Sequence, residues 1–173
     1  VINGMYSIQK DHSLGNRLEW NGNKAQSAAQ EALDRMFTFK WTPPGRGLAQ
    51  MGSPLVMNHR NAASLLNCAY VSTGDMEHHD PGYPFAWTTE ALMLGIGVGF
   101  DTLGKDKFLV RRPEGDTETY VIPDTRQGWA ISVGMLINTY LRTGKHPVEF
   151  DYSELRPYGA RIETFGGTAS GPE

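Results

Sequence analysis

Two short runs constrain the fold of this chain more than anything else in it. Leu65-Leu66-Asn67-Cys68-Ala69-Tyr70-Val71 is mostly apolar, and Gly95-Ile96-Gly97-Val98-Gly99-Phe100 is an apolar stretch spaced by glycine. Six or seven mostly apolar residues between polar turns read as a buried strand of a parallel sheet. Alternation places Leu66, Cys68 and Tyr70 on one face and Asn67 and Ala69 on the other. Cys68 is the single cysteine of the chain. That excludes an internal disulfide and fits a reducing compartment. By itself such a cysteine reads as a small buried hydrophobe.

The rest of the chain extends this alternation of helix and strand. Ala25, Ala28, Ala29, Ala32, Leu33, Met36 and Phe37 fall on one stripe and predict a helix from Lys24 to Phe39. Asn21 or Asn23 caps its start, and Thr42-Pro43-Pro44-Gly45 ends it. Val1 to Asn23 has no clean period and reads as an irregular lead-in. Pro43 to Pro54 reads as a structured loop. A second helix is expected from Pro84 to Leu94, and a third after Asp124-Thr125-Arg126-Gln127, a capping box with the acid in the Ser/Thr place. That third helix is expected to turn Trp129, Val133, Leu136, Ile137 and Tyr140 inward and to end at Gly144. Gly134 in its middle costs about 1 kcal/mol against alanine and so marks a close helix contact. Lys107 to Val110 and Thr119 to Ile122, on either side of Pro113-Glu114-Gly115-Asp116, predict a β-hairpin. A short strand at Val148-Glu149-Phe150 precedes a glycine-rich loop from Gly159 to Gly171. The fold class is α/β.

Charge and length narrow the function. The 173 residues amount to one domain's worth of chain, and the net charge of −3 gives no reason to expect nucleic acid or a membrane as partner. No segment approaches the apolar length of a membrane span, so a cytoplasmic protein is expected. The start at Val1 and the stop at Ser170-Gly171-Pro172-Glu173 suggest a piece of something longer.

Most chemical motifs fail on inspection. Gly95, Gly97 and Gly99 miss the dinucleotide spacing and follow a helix instead of opening one. Gly99 to Lys105 has the spacing of a phosphate loop, but Asp106 stands where a Ser or Thr must hold magnesium. His78-His79-Asp80 lacks a second cluster to complete a metal shell, and no metal site is expected. No Gly-x-Ser-x-Gly elbow is present.

An ordered set of segments is more specific. It comprises Pro43-Pro44-Gly45-Arg46-Gly47-Leu48, Asn67-Cys68, Gly95 to Phe100, Val121-Ile122-Pro123-Asp124-Thr125-Arg126-Gln127-Gly128-Trp129, Phe150-Asp151-Tyr152-Ser153-Glu154-Leu155-Arg156-Pro157 and Phe165 to Gly171. In this order and spacing they resemble adenosylcobalamin-dependent (class II) ribonucleotide reductase, most nearly its ribonucleoside-triphosphate form. The resemblance implies a ten-stranded α/β barrel. Residues 1–45 would be its helical lead-in and 46–173 its incomplete first part. It also implies that Cys68 belongs to the cysteine pair that reduces the substrate. Ile96 and Gly97 would meet the substrate through main chain, beside Asn67, and Gly52 and Ser53 would lie near its phosphate end. Asp75 would bind the sugar of a deoxynucleotide effector. Adenosylcobalamin would be held mainly by parts of the parent protein outside this chain, and a thioredoxin-like protein or dithiol would be the final reductant. Two other readings stand beside this one: a class I, diphosphate-level relative, and a nucleotide-binding regulatory module without chemistry.

Overall fold

The computed structural model of the chain describes residues 1–59, 61–77, 80–141, 146–163 and 166–172. Of the expectations above, the His78-His79 pair, the helix end at Gly144 and Phe165 lie outside them, as does the side chain of Asp75. The chain divides into two compact units, Val1–Leu66 and Asn67–Glu173.

The first unit is helical. Its opening residues form α1 (Ile2–Gly15) and are not irregular. The reason escapes a search for periodicity, because the helix is seated by a glycine and not by an apolar stripe. Gly4 is buried, and a Cβ there would lie 2.6 Å from the Gly52 amide nitrogen. Backbone therefore meets backbone at a turn where Gly52 takes a φ of 86°. Asn21 caps α2 (Gly22–Phe37) by accepting the Lys24 amide at 2.9 Å. The helix stops earlier than the prolines predict: Thr38 donates its hydroxyl to the Asp34 carbonyl at 2.7 Å, and Phe39 turns to a φ of 55°. The expected loop that follows is instead two short helices, α3 (Gly45–Gln50) and α4 (Pro54–Met57). Proline at the first position of α4 is pre-set for a helix start, and Leu55 and Val56 bury its inner face.

The second unit holds two strand–helix–strand repeats. In the first, β1 (Cys68–Val71) and β2 (Gly97–Phe100) pair in parallel, joined through α5 (Tyr83–Met93). Parallel neighbours need such a crossover. Ala91, Leu94 and Ile96 form the core beneath this pair, with Ala69, Trp87 and Val98 packed on it. Burying side chains the size of Leu94 and Ile96 stabilises by about 1.5–3 kcal/mol each.

In the second repeat, β3 (Glu118–Val121) pairs in parallel with β4 (Val148–Asp151) across α6 (Arg126–Leu141). This corrects the expected hairpin: Lys107 to Val110 is not a strand, and Leu109 and Val110 are exposed. The Pro113–Asp116 turn closes on the approach to β4. Glu118 donates its amide to the Pro147 carbonyl at 2.8 Å, and Gly115 leaves room for the His146 ring.

α5 and α6 pack through small residues. A Cβ at Gly82 would stand 2.3 Å from the Gly134 carbonyl oxygen, and one at Gly134 would stand 3.2 Å from Ala86 Cβ. The Gly82 amide donates to Asn138 Oδ1 at 2.8 Å, and the Glu90 carboxylate pairs with Arg126 at 3.1 Å. The buried residues of α6 are the small ones Gly128, Ala130, Ser132, Gly134 and Thr139, which fall on two opposite sides of the helix. Trp129, Val133 and Ile137 are only half-buried, while Leu136 and Tyr140 are exposed. The start of α6 also differs from the expected box. Thr125 Oγ1 accepts the Gly128 amide at 2.9 Å as the cap, which leaves Asp124 to bind Arg156 Nε at 2.7 Å. Trp129 and Tyr152 add a ring contact with centroids 6.3 Å apart.

Candidate active site

Strand β1 is half-buried on one side only. Ala69 and Val71 are half-buried, Ala69 packed on the core beside α5, whereas Cys68 and Tyr70 are exposed. The expected parallel strand is present, but its cysteine face is open, a correction that follows from the placement of α5 under the opposite face. The register sets Cys68 beside Gly97 and Tyr70 beside Gly99. Laterally paired residues share a face, so the positions beside the thiol and the phenol carry no side chain.

These glycines are not required by backbone conformation. A Cβ at Gly97 would meet only the Asn67 carbonyl oxygen, at 3.6 Å, and one at Gly99 would meet Tyr70 Cδ2 at 3.7 Å. Both are ordinary contacts. What glycine contributes here is a bare shelf of backbone next to Cys68, suited to a flat ligand.

Asn67, Cys68, Ile96 and Gly97 are therefore brought together. The Gly97 amide donates to the Asn67 carbonyl at 3.0 Å, and the Ile96 amide to the Ala91 carbonyl at 3.1 Å. Ile96 is 4% exposed, so its side chain belongs to the core and only its main chain borders the shelf. Gly52 and Ser53 lie in the first unit, where Ser53 Oγ donates to Gln50 Oε1 at 3.2 Å and its carbonyl starts α4. The backbone of Asp75 sits in the single-turn helix Thr73–Glu77 that follows β1.

A group missed in the sequence closes the carboxyl end of the β1–β2 pair. Asp101 accepts hydrogen bonds from Tyr70 Oη, from Thr73 Oγ1 at 2.8 Å, and from the Thr73 and Leu103 amides, each at 3.0 Å. The Tyr70 hydroxyl, with Ser72, Thr73 and Leu103, holds this carboxyl well below the usual carboxylate range. Nothing in the pattern around Asp101 signals this, because Tyr70 and Thr73 lie 31 and 28 residues earlier in the chain. The same region disposes of the phosphate-loop spacing: the Gly104 amide donates to Thr73 Oγ1 at 2.9 Å, and Lys107 Nζ to the Gly74 carbonyl at 3.0 Å. Those donors are engaged within the chain.

Known proteins agree on one family. Residues 95–173 match the B12-dependent ribonucleotide reductase insertion domain, and residues 1–53 match the ribonucleotide reductase alpha domain. An adenosylcobalamin-dependent ribonucleoside-triphosphate reductase of Euglena gracilis is 42% identical over 99% of this chain. The chain is similar to the B12-dependent ribonucleotide reductases along nearly its whole length.

A reductase of the same description from Lactobacillus leichmannii is 28% identical over 85% of the chain. The crystal structure of a B12-dependent (class II) ribonucleotide reductase superposes with a TM-score of 0.67 at 27% identity, over 99% of this chain and 30% of that one. The chain spans about a quarter of the length of these curated relatives, 24% and 27%. Cys68 lies between the two stretches that match reductase domains. Two of the segments that carried the resemblance, 121–129 and 150–157, touch in space through Asp124–Arg156 and Trp129–Tyr152. Among the described residues no helix is long and apolar enough to cross a membrane.

Proposed function

We propose that the protein of which this chain is a part reduces ribonucleoside triphosphates to deoxyribonucleoside triphosphates by adenosylcobalamin-initiated thiyl-radical chemistry. Cys68 is one of the two thiols that reduce the substrate. The 42% identity over 99% of the chain to the Euglena gracilis reductase carries this reading. The free, exposed Cys68 thiol beside a bare glycine shelf supports it.

The chemistry balances on a pair of thiols. The ribose loses its 2′-hydroxyl as water and gains a hydrogen. Two thiols supply two electrons and two protons and close to a disulfide. The Cys68 thiol gives its proton to the departing hydroxyl oxygen, and its sulfur then bonds the sulfur of the second cysteine. That second cysteine, and the one that abstracts the 3′-hydrogen, come from outside these 173 residues, since Cys68 is their single cysteine. A dithiol or thioredoxin-like protein reopens the disulfide. Adenosylcobalamin, when bound, supplies the radical that amino-acid side chains cannot generate alone. Among the described residues no three His, Cys, Asp or Glu side chains gather as a metal-ligand group, and none is assigned to hold the cobalamin.

Gly97, with Asn67 and the main chain of Ile96, forms the floor for the ribose in this reading. Gly52 and Ser53 serve the phosphate end, and Asp75 serves a deoxynucleotide effector. Residues 1–45 are the helical lead-in and 46–173 the first part of a ten-stranded α/β barrel. The test is turnover of the full-length protein with adenosylcobalamin, a dithiol and ribonucleoside triphosphate. Cobalamin-dependent formation of deoxyribonucleoside triphosphate is expected. A preference for diphosphates, or no turnover with either, overturns it.

A further inference from the structure

We infer that Asp101 is a positioning residue for the Cys68 face: it anchors the Tyr70 phenol as a fixed wall beside the Gly97–Gly99 shelf and thereby limits how a flat ring lies next to the thiol. The inference rests on the reductase reading and extends it to two residues that reading does not use. Tyr70 is 62% exposed, so its ring owes little to the core. Surface side chains without a partner sample several rotamers, yet the Tyr70 hydroxyl is hydrogen-bonded to Asp101. That carboxylate is in turn held by Thr73 Oγ1 and by the amides of Thr73 and Leu103. The anchor is thus built into the turns that follow both strands.

The placement of the ring matters because of what surrounds it. Tyr70 follows Cys68 by two residues on the same face, and its register partner is Gly99. A Cβ at Gly99 would approach Tyr70 Cδ2 at 3.7 Å, so the ring stands directly over the glycine strand. The thiol, the phenol and two bare glycines outline a slot with one rigid aromatic side. A sugar ring entering it is located by the phenol at one end and the thiol at the other. A misplacement of about 1 Å in such a slot costs on the order of a hundredfold in rate.

Tyr70→Phe removes the tether, and Asp101→Ala removes the anchor; both are made in the full-length protein, singly and together. Tyr70→Phe is expected to lower kcat/KM about tenfold, mostly through KM, with only a small drop in thermal midpoint from the lost hydrogen bond to Asp101. The double variant should then be no worse than Asp101→Ala, because both changes cut one link. A second readout is independent of turnover: the rate at which iodoacetamide alkylates Cys68, followed by mass spectrometry. It should rise about threefold in both single variants as the wall loosens, since thiol reactivity follows access. Tyr70→Phe with KM, kcat and alkylation rate all within about twofold of wild type would overturn the inference, leaving Asp101 a purely structural knot. If the wild-type protein has no cobalamin-dependent turnover, the reductase reading fails, and the alkylation rates still decide the role of Asp101.

Discussion

Cys68 and Gly97 are register partners across the parallel β1–β2 pair, and the Gly97 amide closes that end of the pair on the Asn67 carbonyl at 3.0 Å. The thiol therefore stands beside backbone and not beside another side chain.

Gly97→Ala adds a methyl group to the shelf without a clash, since its nearest neighbour would be the Asn67 carbonyl oxygen at 3.6 Å. Glycine inside a strand weakens it, so the variant should be as stable as wild type or slightly more so. If the shelf receives substrate, kcat/KM should fall by about tenfold or more while the thermal midpoint holds. Steady-state kinetics beside a thermal melt of the full-length protein checks this. Equal loss of both would make Gly97 a folding residue.

On the proposed reading, Cys68→Ser removes one of the two thiols that supply electrons but leaves the cysteine that abstracts the 3′-hydrogen. Deoxynucleotide formation should fall by about a thousandfold, whereas nucleotide is still consumed and free base released. Chromatography of the products separates the two outcomes. Deoxynucleotide formed at near wild-type rate would remove Cys68 from the chemistry.

The α5–α6 contact predicts an asymmetry between two glycines. Gly82→Ala drives a methyl group into the Gly134 carbonyl, 2.3 Å from its oxygen. Overpacking of this kind costs about 1–3 kcal/mol or more. Gly134→Ala meets the softer Ala86 Cβ at 3.2 Å and gains about 1 kcal/mol of helix propensity, so its net effect is small. Hydrogen exchange in α5 and α6 should accelerate in the first variant and change little in the second.

Acid sensitivity follows from Asp101 and Asp151. Hydrogen bonds from Tyr70, Ser72, Thr73 and Leu103 depress the first, and those from the Ser153 amide and hydroxyl depress the second. A carboxylate with a lowered folded-state pKa contributes stability above the ordinary carboxylate range and loses it as pH falls through the depressed value. The gap in thermal midpoint between wild type and Asp101→Asn should be constant near neutral pH and narrow below about pH 4. A gap that widens in acid would contradict the assignment.

Much of this was readable in the residues. The alanine-rich stripe after Asn21, the apolar runs at Cys68 and Gly95, and the unexplained Gly134 each marked a real element or contact, because helix and strand periods report which local face is apolar. The spacing of segments such as 121–129 and 150–157 also carried the family. Tertiary structure alone decided what met what. β3 found β4 across α6 and not the nearer run at Lys107, since strand pairing is settled by which edges α6 brings together. α1 is seated by Gly4 against Gly52, a backbone contact with no hydropathy signature. The α6 cap passed to Thr125 once Arg156 claimed Asp124. Asp101 reached Tyr70 across 31 positions. One-dimensional patterns encode exposure along a segment; they do not encode the partner that a polar group or a bare glycine meets when distant segments converge.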